Sequence, residues 1–247
     1  MGKPNQGRRT LLLTGASRGI GHATVQRFAD RGWRVITCAR HAFPEACPWE
    51  AGLHDHIQVD LCDQEATVAA LPRIRERLGG RLDALVNNAG ISPKTPEGGR
   101  LNTIETDLAT WEQVFQVNFF ACVILARGLI DELAAARGAV VNVTSIAGAK
   151  VHPFAGAAYA TSKAALGALT REMAFDFGPL GVRVNAIAPG EVETDILSPG
   201  SRKIAEKLPL QRLGRPEEVA EAVYFLCSGR ASYISGAEIE VNGAQHV

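Results

Sequence analysis

Two kinds of apolar segment alternate along this chain. Short unbroken runs such as Thr-Leu-Leu-Leu-Thr at 10–14 and Gly-Ala-Val-Val-Asn-Val-Thr at 138–144 suit strands covered on both faces. Longer stretches between them repeat their apolar positions with a helical period. The pattern predicts strands near 10–14, 34–39, 56–60, 83–87, 138–144, 183–188 and 237–241. Helices are expected near 20–31, 63–78, 107–136, 157–177 and 216–228. Strands alternating with helices call for an α/β fold, a doubly wound parallel sheet of about seven strands with helices on both faces. No repeat, low-complexity stretch or linker divides it, so 1–247 reads as a single domain with a flexible arm at 1–9. A site in such a sheet belongs beyond the carboxyl ends of its strands, where Gly15, Asn87 and Ser145 all fall.

Composition narrows the partners. Lys plus Arg and Asp plus Glu each number 26, so neither nucleic acid nor an anionic membrane is expected as the main partner. No run reaches the roughly 18 consecutive apolar residues of a membrane span, and the polar residues 1–9 lack a signal-peptide core. The five cysteines (38, 47, 62, 122 and 227) are odd in number and lack CxxC spacing. They read as reduced thiols of a cytoplasmic protein, with no metal site or disulfide framework.

Candidate chemistry begins at Gly15-Ala16-Ser17-Arg18-Gly19-Ile20-Gly21, between the first strand and the first helix. Strand, glycine-rich turn and helix follow in the order a dinucleotide site needs, with the helix N-terminus offering N–H groups to a pyrophosphate. Tyr159 and Lys163 stand four apart on a predicted helix and so share a face. An ammonium there is expected to lower the tyrosine pKa from about 10 toward neutrality and make the phenol a usable acid and base. Ser145 precedes Tyr159 by fourteen residues.

With Asn87-Asn88-Ala89-Gly90 and Pro189-Gly190 followed by Thr194, these motifs make the chain resemble the short-chain dehydrogenase/reductase family, in its 3-oxoacyl-carrier-protein-reductase-like subgroup. The resemblance runs from Thr10 to Asn242. It implies a single-domain Rossmann fold and a catalytic tetrad of Asn118, Ser145, Tyr159 and Lys163. Tyr159 would exchange the proton and Ser145 would hold the substrate oxygen. Lys163 would bind the nicotinamide ribose, and Asn118 would hold a water that completes a proton relay to the lysine. Cofactor contacts are implied at Gly15, Ser17, Arg18, Gly19, Ile20 and Gly21 of the turn, and at Ala39 and Arg40 ending the second strand. Asp60 and Leu61, then Asn88, Ala89 and Gly90, then Pro189, Gly190, Val192 and Thr194 complete the set, with Tyr159 and Lys163.

An NAD enzyme commonly ends its second strand in an acid that binds both ribose hydroxyls. Here Ala39 and Arg40 stand there, so NADP(H) is favoured and NAD(H) is the alternative. Two prolines and a glycine make 41–55 a loop or helix stub. The segment 92–100 lengthens the rim of the substrate pocket, and Val241-Asn242-Gly243-Ala244 replaces a more usual Asp-Gly-Gly. A substrate loop is expected over 190–213. Ser92, Ala147, Lys150, His152, Phe154, Glu191 and 196–210 are candidate pocket residues. The acidic start of Asp131-Glu132-Leu-Ala-Ala-Ala-Arg137 argues for a small free carbonyl or secondary alcohol over a carrier-bound acyl chain. By analogy with the family, helices 107–136 and 157–177 would form a homotetramer or homodimer. Two other classes remain: a catalytically silent dinucleotide-binding sensor or scaffold, and a dehydratase or epimerase, which generally has a longer chain.

Overall fold

The computed structural model describes residues 7–40, 55–194 and 205–247. The expectations for 1–6, 41–54 and 195–204 lie outside them. Among the described residues, seven parallel strands form one sheet in the order β3-β2-β1-β4-β5-β6-β7. They are β1 (Thr10–Thr14), β2 (Arg34–Ala39), β3 (His56–Gln58), β4 (Ala84–Asn87), β5 (Ala139–Val143), β6 (Arg183–Pro189) and β7 (Glu238–Val241). The helices are α1 (Gly19–Ala29), α2 (Gln64–Leu78), α3 (Leu108–Phe115), α4 (Ala121–Gly128), α5 (Ile130–Ala136), α6 (Ala157–Phe177) and α7 (Pro216–Cys227).

Because successive strand residues face opposite sides, each central strand supplies two cores. Leu12, Leu85, Val140 and Val184 pack with Ile74, Leu125 and Met173 on one face. Leu11, Leu13, Val86, Val141 and Ile187 pack with Val25, Phe28, Val223 and Leu226 on the other. Strand order reverses between β1 and β4, which opens a crevice beyond their carboxyl ends.

The helix expected over 107–136 is three pieces. A π-helical turn, Gln116–Phe120, separates α3 from α4, with Ala121 N–H reaching back to Gln116 O. Leu129, at φ −119° and ψ 20°, breaks the run again before α5. Apolar periodicity continues across both interruptions, so it could not mark them. Leu108–Gly128 has the length and composition of a membrane-crossing helix, yet Val114, Val117, Ala121 and Leu125 are buried in the protein. Glu132, taken from the sequence as surface charge, is buried within 3.7 Å of Arg75 Nε.

Candidate active site

At the carboxyl ends of β1, β2, β4, β5 and β6 lies a cleft of ≈ 690 Å³. Every residue expected to contact the cofactor lines it, from Gly15 through Arg40, Asp60 and Gly90 to Thr194. Ser145, Tyr159 and Lys163 line it too.

The glycine turn is held by contact with its neighbours. A Cβ on Gly21 would stand 2.0 Å from Gly15 O, so only glycine allows α1 to start this close to the turn. Gly19 has φ +53°, and a Cβ there would meet Thr194 Cγ2 at 2.9 Å. The segment after β6 therefore closes down on the turn. Asn88 Nδ2 donates to Thr14 O (3.0 Å) and Gly15 O (2.9 Å), while Thr14 Oγ1 accepts from the N–H groups of Asn88 and Ala89. Arg18, the residue before α1, is extended and gives no side-chain cap. The first-turn N–H groups of α1 thus carry the partial positive charge that a pyrophosphate would meet. These features fit a dinucleotide. At the adenosine end, Asp60 lines the cleft and also accepts from Cys62 N–H at 2.9 Å, so it serves as a turn former as well.

Ser145 follows β5, and its Oγ accepts from Ala147 N–H at 3.2 Å. The Ser145 hydroxyl also neighbours the Tyr159 phenol closely enough to lower its pKa. Tyr159 and Lys163 lie one turn apart on α6, with Lys163 Nζ 5.8 Å from the tyrosine ring centre. The ammonium donates to Val143 O at 2.6 Å. The expected depression of the tyrosine pKa is not what this geometry produces. Protein packed around the phenol pushes its pKa above the ordinary value; the Ser145 hydroxyl lowers it and the charge of Glu191 raises it. Burial also presses Lys163 down to about 8. Helical spacing predicted the shared face, but the ammonium, turned to Val143 O, is not among the groups that set the phenol's pKa.

Asn118 does not line the cleft. It lies behind the wall, in the π turn, and is fully buried. Its Oδ1 accepts from Ile91 N–H (2.9 Å), and its Nδ2 donates to Ile91 O (3.1 Å) and Ser162 Oγ (3.0 Å). The side chain is thus bonded to protein partners and ties the segment after β4 to α6. A Cβ on Gly90 would lie 3.4 Å from both Asn118 Oδ1 and Lys163 Nζ, so these two groups approach across the glycine.

Of the expected pocket residues, Ser92, Ala147, His152, Phe154 and Glu191 line the cleft. Lys150 instead donates to Gln245 O. Residues 205–210 do not reach the cleft. The 92–100 segment is a small hairpin bridged at Lys94 and Arg100. Lys94 Nζ donates to Phe154 O, and Arg100 Nε to Ala155 O at 2.8 Å. Sequence reading missed Lys94 and Gln245. Gln245 Oε1 accepts from Glu191 N–H at 3.0 Å, a contact between segments 54 residues apart that no local pattern could signal. Among the described residues, Cys38, Cys62, Cys122 and Cys227 are free thiols. Burial lifts Cys38 and Cys227 to about 12 and Cys122 to about 11.

Residues 15–246 match the family model described as enoyl-(acyl carrier protein) reductase. The chain is 57% identical to Protein FixR of Bradyrhizobium diazoefficiens over 242 residues, covering 97% of this chain and 87% of that protein. An oxidoreductase of the short-chain dehydrogenase/reductase family from Brucella ovis, in complex with a partially ordered NAD, is 60% identical. It superposes with a TM-score of 0.83, covering 95% of this chain and 100% of that one. A 3-oxoacyl-[acyl-carrier protein] reductase from Brucella melitensis with bound NAD is 34% identical, with a TM-score of 0.87 and coverage of 99% and 94%. A dinucleotide cradle at the switch point of the sheet and a Ser–Tyr–Lys group beside it thus accompany likeness over almost the whole chain: this protein belongs to the short-chain dehydrogenase/reductase family.

Proposed function

We propose that this protein exchanges a hydride between a nicotinamide dinucleotide and a small carbonyl compound or secondary alcohol, with Tyr159 as the proton donor and acceptor. The observation that carries this reading is the convergence of Ser145, Tyr159 and Lys163 on one cleft, the phenol one helical turn from a buried lysine. The dinucleotide, when bound, supplies or takes the hydride. In carbonyl reduction, Ser145 donates a hydrogen bond to the substrate oxygen and stabilises the charge that develops there. Tyr159, held protonated by its surroundings, gives up its proton to that oxygen. In alcohol oxidation the proton returns to the phenolate. Lys163 holds the nicotinamide ribose and favours the phenolate as it forms. Asn118 acts as a positioning residue: through Ile91 and Ser162 it keeps the lysine wall in register.

The sites assigned to the cofactor are those lining the cleft between Gly15 and Thr194. NADP(H) preference is supported by Arg40 and by the absence of an acid at Ala39. The NAD in the Brucella ovis relative supports NAD(H) as the competing reading. The partly exposed Phe120 and the largely exposed Leu108, both on the Leu108–Gly128 stretch, support self-association as a homotetramer or homodimer. Buried unpaired thiols are in keeping with a cytoplasmic setting. A silent binding module would have no use for Ser145, Tyr159 and Lys163 together.

The test is oxidation of NADPH and of NADH by the purified protein across ketones, aldehydes, ketoacids and acyl thioester mimics. Tyr159→Phe is expected to cut kcat by about 10²- to 10⁴-fold while cofactor affinity stays within a few-fold. Equal turnover by wild type and variant would end the role assigned to Tyr159. A higher kcat/KM for NADH would reverse the cofactor preference and leave the proton chemistry standing.

A further inference from the structure

The proton chemistry leaves one buried ionisable pair in the cleft unused. Glu191, directly after Gly190, has a side chain only 9% exposed, and that of His152 is 10% exposed. His152 Nδ1 accepts from Phe154 N–H at 3.4 Å, which assigns the ring proton to Nε2. That nitrogen lies 3.1 Å from Glu191 Oε1, within ion-pair distance of the carboxylate. The Gln245 amide nitrogen stands 3.5 Å from the same Nε2 and holds the ring as well. Gln245 Oε1 meanwhile fixes the Glu191 main chain.

An ionised carboxylate only accepts hydrogen bonds, and it offers about four acceptor positions. His152 fills one of these. The side chain shares the cleft with Ser145 and Tyr159, and its charge reaches the phenol. A ligand group that reaches Glu191 from the cleft must therefore offer it a donor. Acidic ligands are disfavoured by the carboxylate itself. Lys94, half-buried in the same wall and within electrostatic reach of Glu191, disfavours an ammonium. A neutral hydroxyl satisfies both groups.

We infer that Glu191, held in place by His152, is a specificity-determining residue that accepts a hydrogen bond from a second substrate hydroxyl, so that the substrates are α-hydroxy carbonyl compounds and the vicinal diols they interconvert with. This rests on the oxidoreductase reading above. In the oxidising direction the diol carbon next to the retained hydroxyl loses its hydride to NAD(P)⁺. The proton of its own hydroxyl passes to Tyr159 and on to solvent. An α-hydroxy carbonyl, NAD(P)H and one proton result.

The experiment compares butane-2,3-diol with butan-2-ol, and cyclohexane-1,2-diol with cyclohexanol, using NAD⁺ and NADP⁺. Wild type, Glu191→Gln, His152→Ala and His152→Gln are assayed, with Tyr159→Phe as the blank. Wild type is expected to favour each diol in kcat/KM by about tenfold to a hundredfold, the range of a hydrogen bond to a charged acceptor. In Glu191→Gln that ratio should collapse toward unity, mostly through a higher KM for the diol. His152→Ala should lower the ratio less, and His152→Gln, which can still donate to the carboxylate, should restore part of it. A ratio unchanged in a folded, cofactor-binding Glu191→Gln overturns the inference. So does a wild type that turns over monohydric alcohols or simple ketones as well as diols, although the oxidoreductase reading then stands. Silence on every probe, simple ketones included, removes both.

Discussion

The two ends of the cleft are made from different material. At the cofactor end, the residues of 14–21, 87–90 and 189–194 meet because β1, β4, β5 and β6 lie side by side in the sheet. The contacts there are largely main-chain ones, such as the Asn88 amide on Thr14 O and Gly15 O, or α1 seated on the turn through Gly21. At the substrate end, Lys94, His152, Glu191 and Gln245 arrive on four separate segments: the His152 and Glu191 side chains meet each other, and those of Lys94 and Gln245 reach the Phe154 carbonyl and the Glu191 amide. A main-chain cradle demands particular residue types at fixed spacing, so it leaves short readable motifs. A side-chain pocket demands only that the right groups converge, which many sequences can achieve.

This contrast can be tested by breaking each end. Gly21→Ala attacks the cradle where a Cβ would strike main-chain oxygen at 2.0 Å. It should cost about 3 kcal/mol or more and abolish dinucleotide binding, read by urea denaturation and cofactor titration. A variant that melts and binds like wild type would show that the turn is not sterically locked. No substitution at the substrate end should have a comparable effect on folding.

Lys163 stands between the two ends, and its effect depends on pH. The unfolded chain keeps this lysine protonated up to its ordinary value of 10.5, the folded chain only up to about 8. The cost of burying the charge is therefore full below pH 8. It is relieved as pH rises from 8 to 10.5, because the unfolded state then binds more protons. Stability of wild type relative to Lys163→Met should climb by roughly 3 kcal/mol across that window, measured by denaturant titration without cofactor. A flat difference would mean that the ammonium is solvated. The smallest effect belongs to the tail. Ala244 has φ +67°, a left-handed conformation that suits glycine. Ala244→Gly should raise stability by about 1 kcal/mol or less, visible as a small rise in melting temperature. The replacement of a usual glycine thus carries local strain.

Most of the architecture could be read before any coordinates. The run 138–144 is almost wholly apolar because β5 is covered on both faces, and the Gly15–Gly21 spacing marked the turn because steric limits leave few alternatives. The π turn at Asn118 could not be read in the same way. One extra residue in a helical turn leaves the apolar periodicity nearly unchanged, yet it sends Asn118 inward to Ile91. Tyr159 and Lys163 were correctly placed on one face, and the sign of their electrostatics was not. Spacing reports geometry along a helix, whereas a pKa reports the dielectric of everything packed around it.

Local information was therefore enough for the order of strands and helices, the dinucleotide turn and the shared face of Tyr159 and Lys163. Each of these depends on backbone sterics, apolar periodicity or neighbours a few residues away, whereas Ser145 was legible through the family resemblance. The proton affinity of Tyr159, the burial of Asn118 and the meeting of His152, Glu191 and Gln245 depend on solvent exclusion and on contacts between distant segments. Those exist only once the chain has folded.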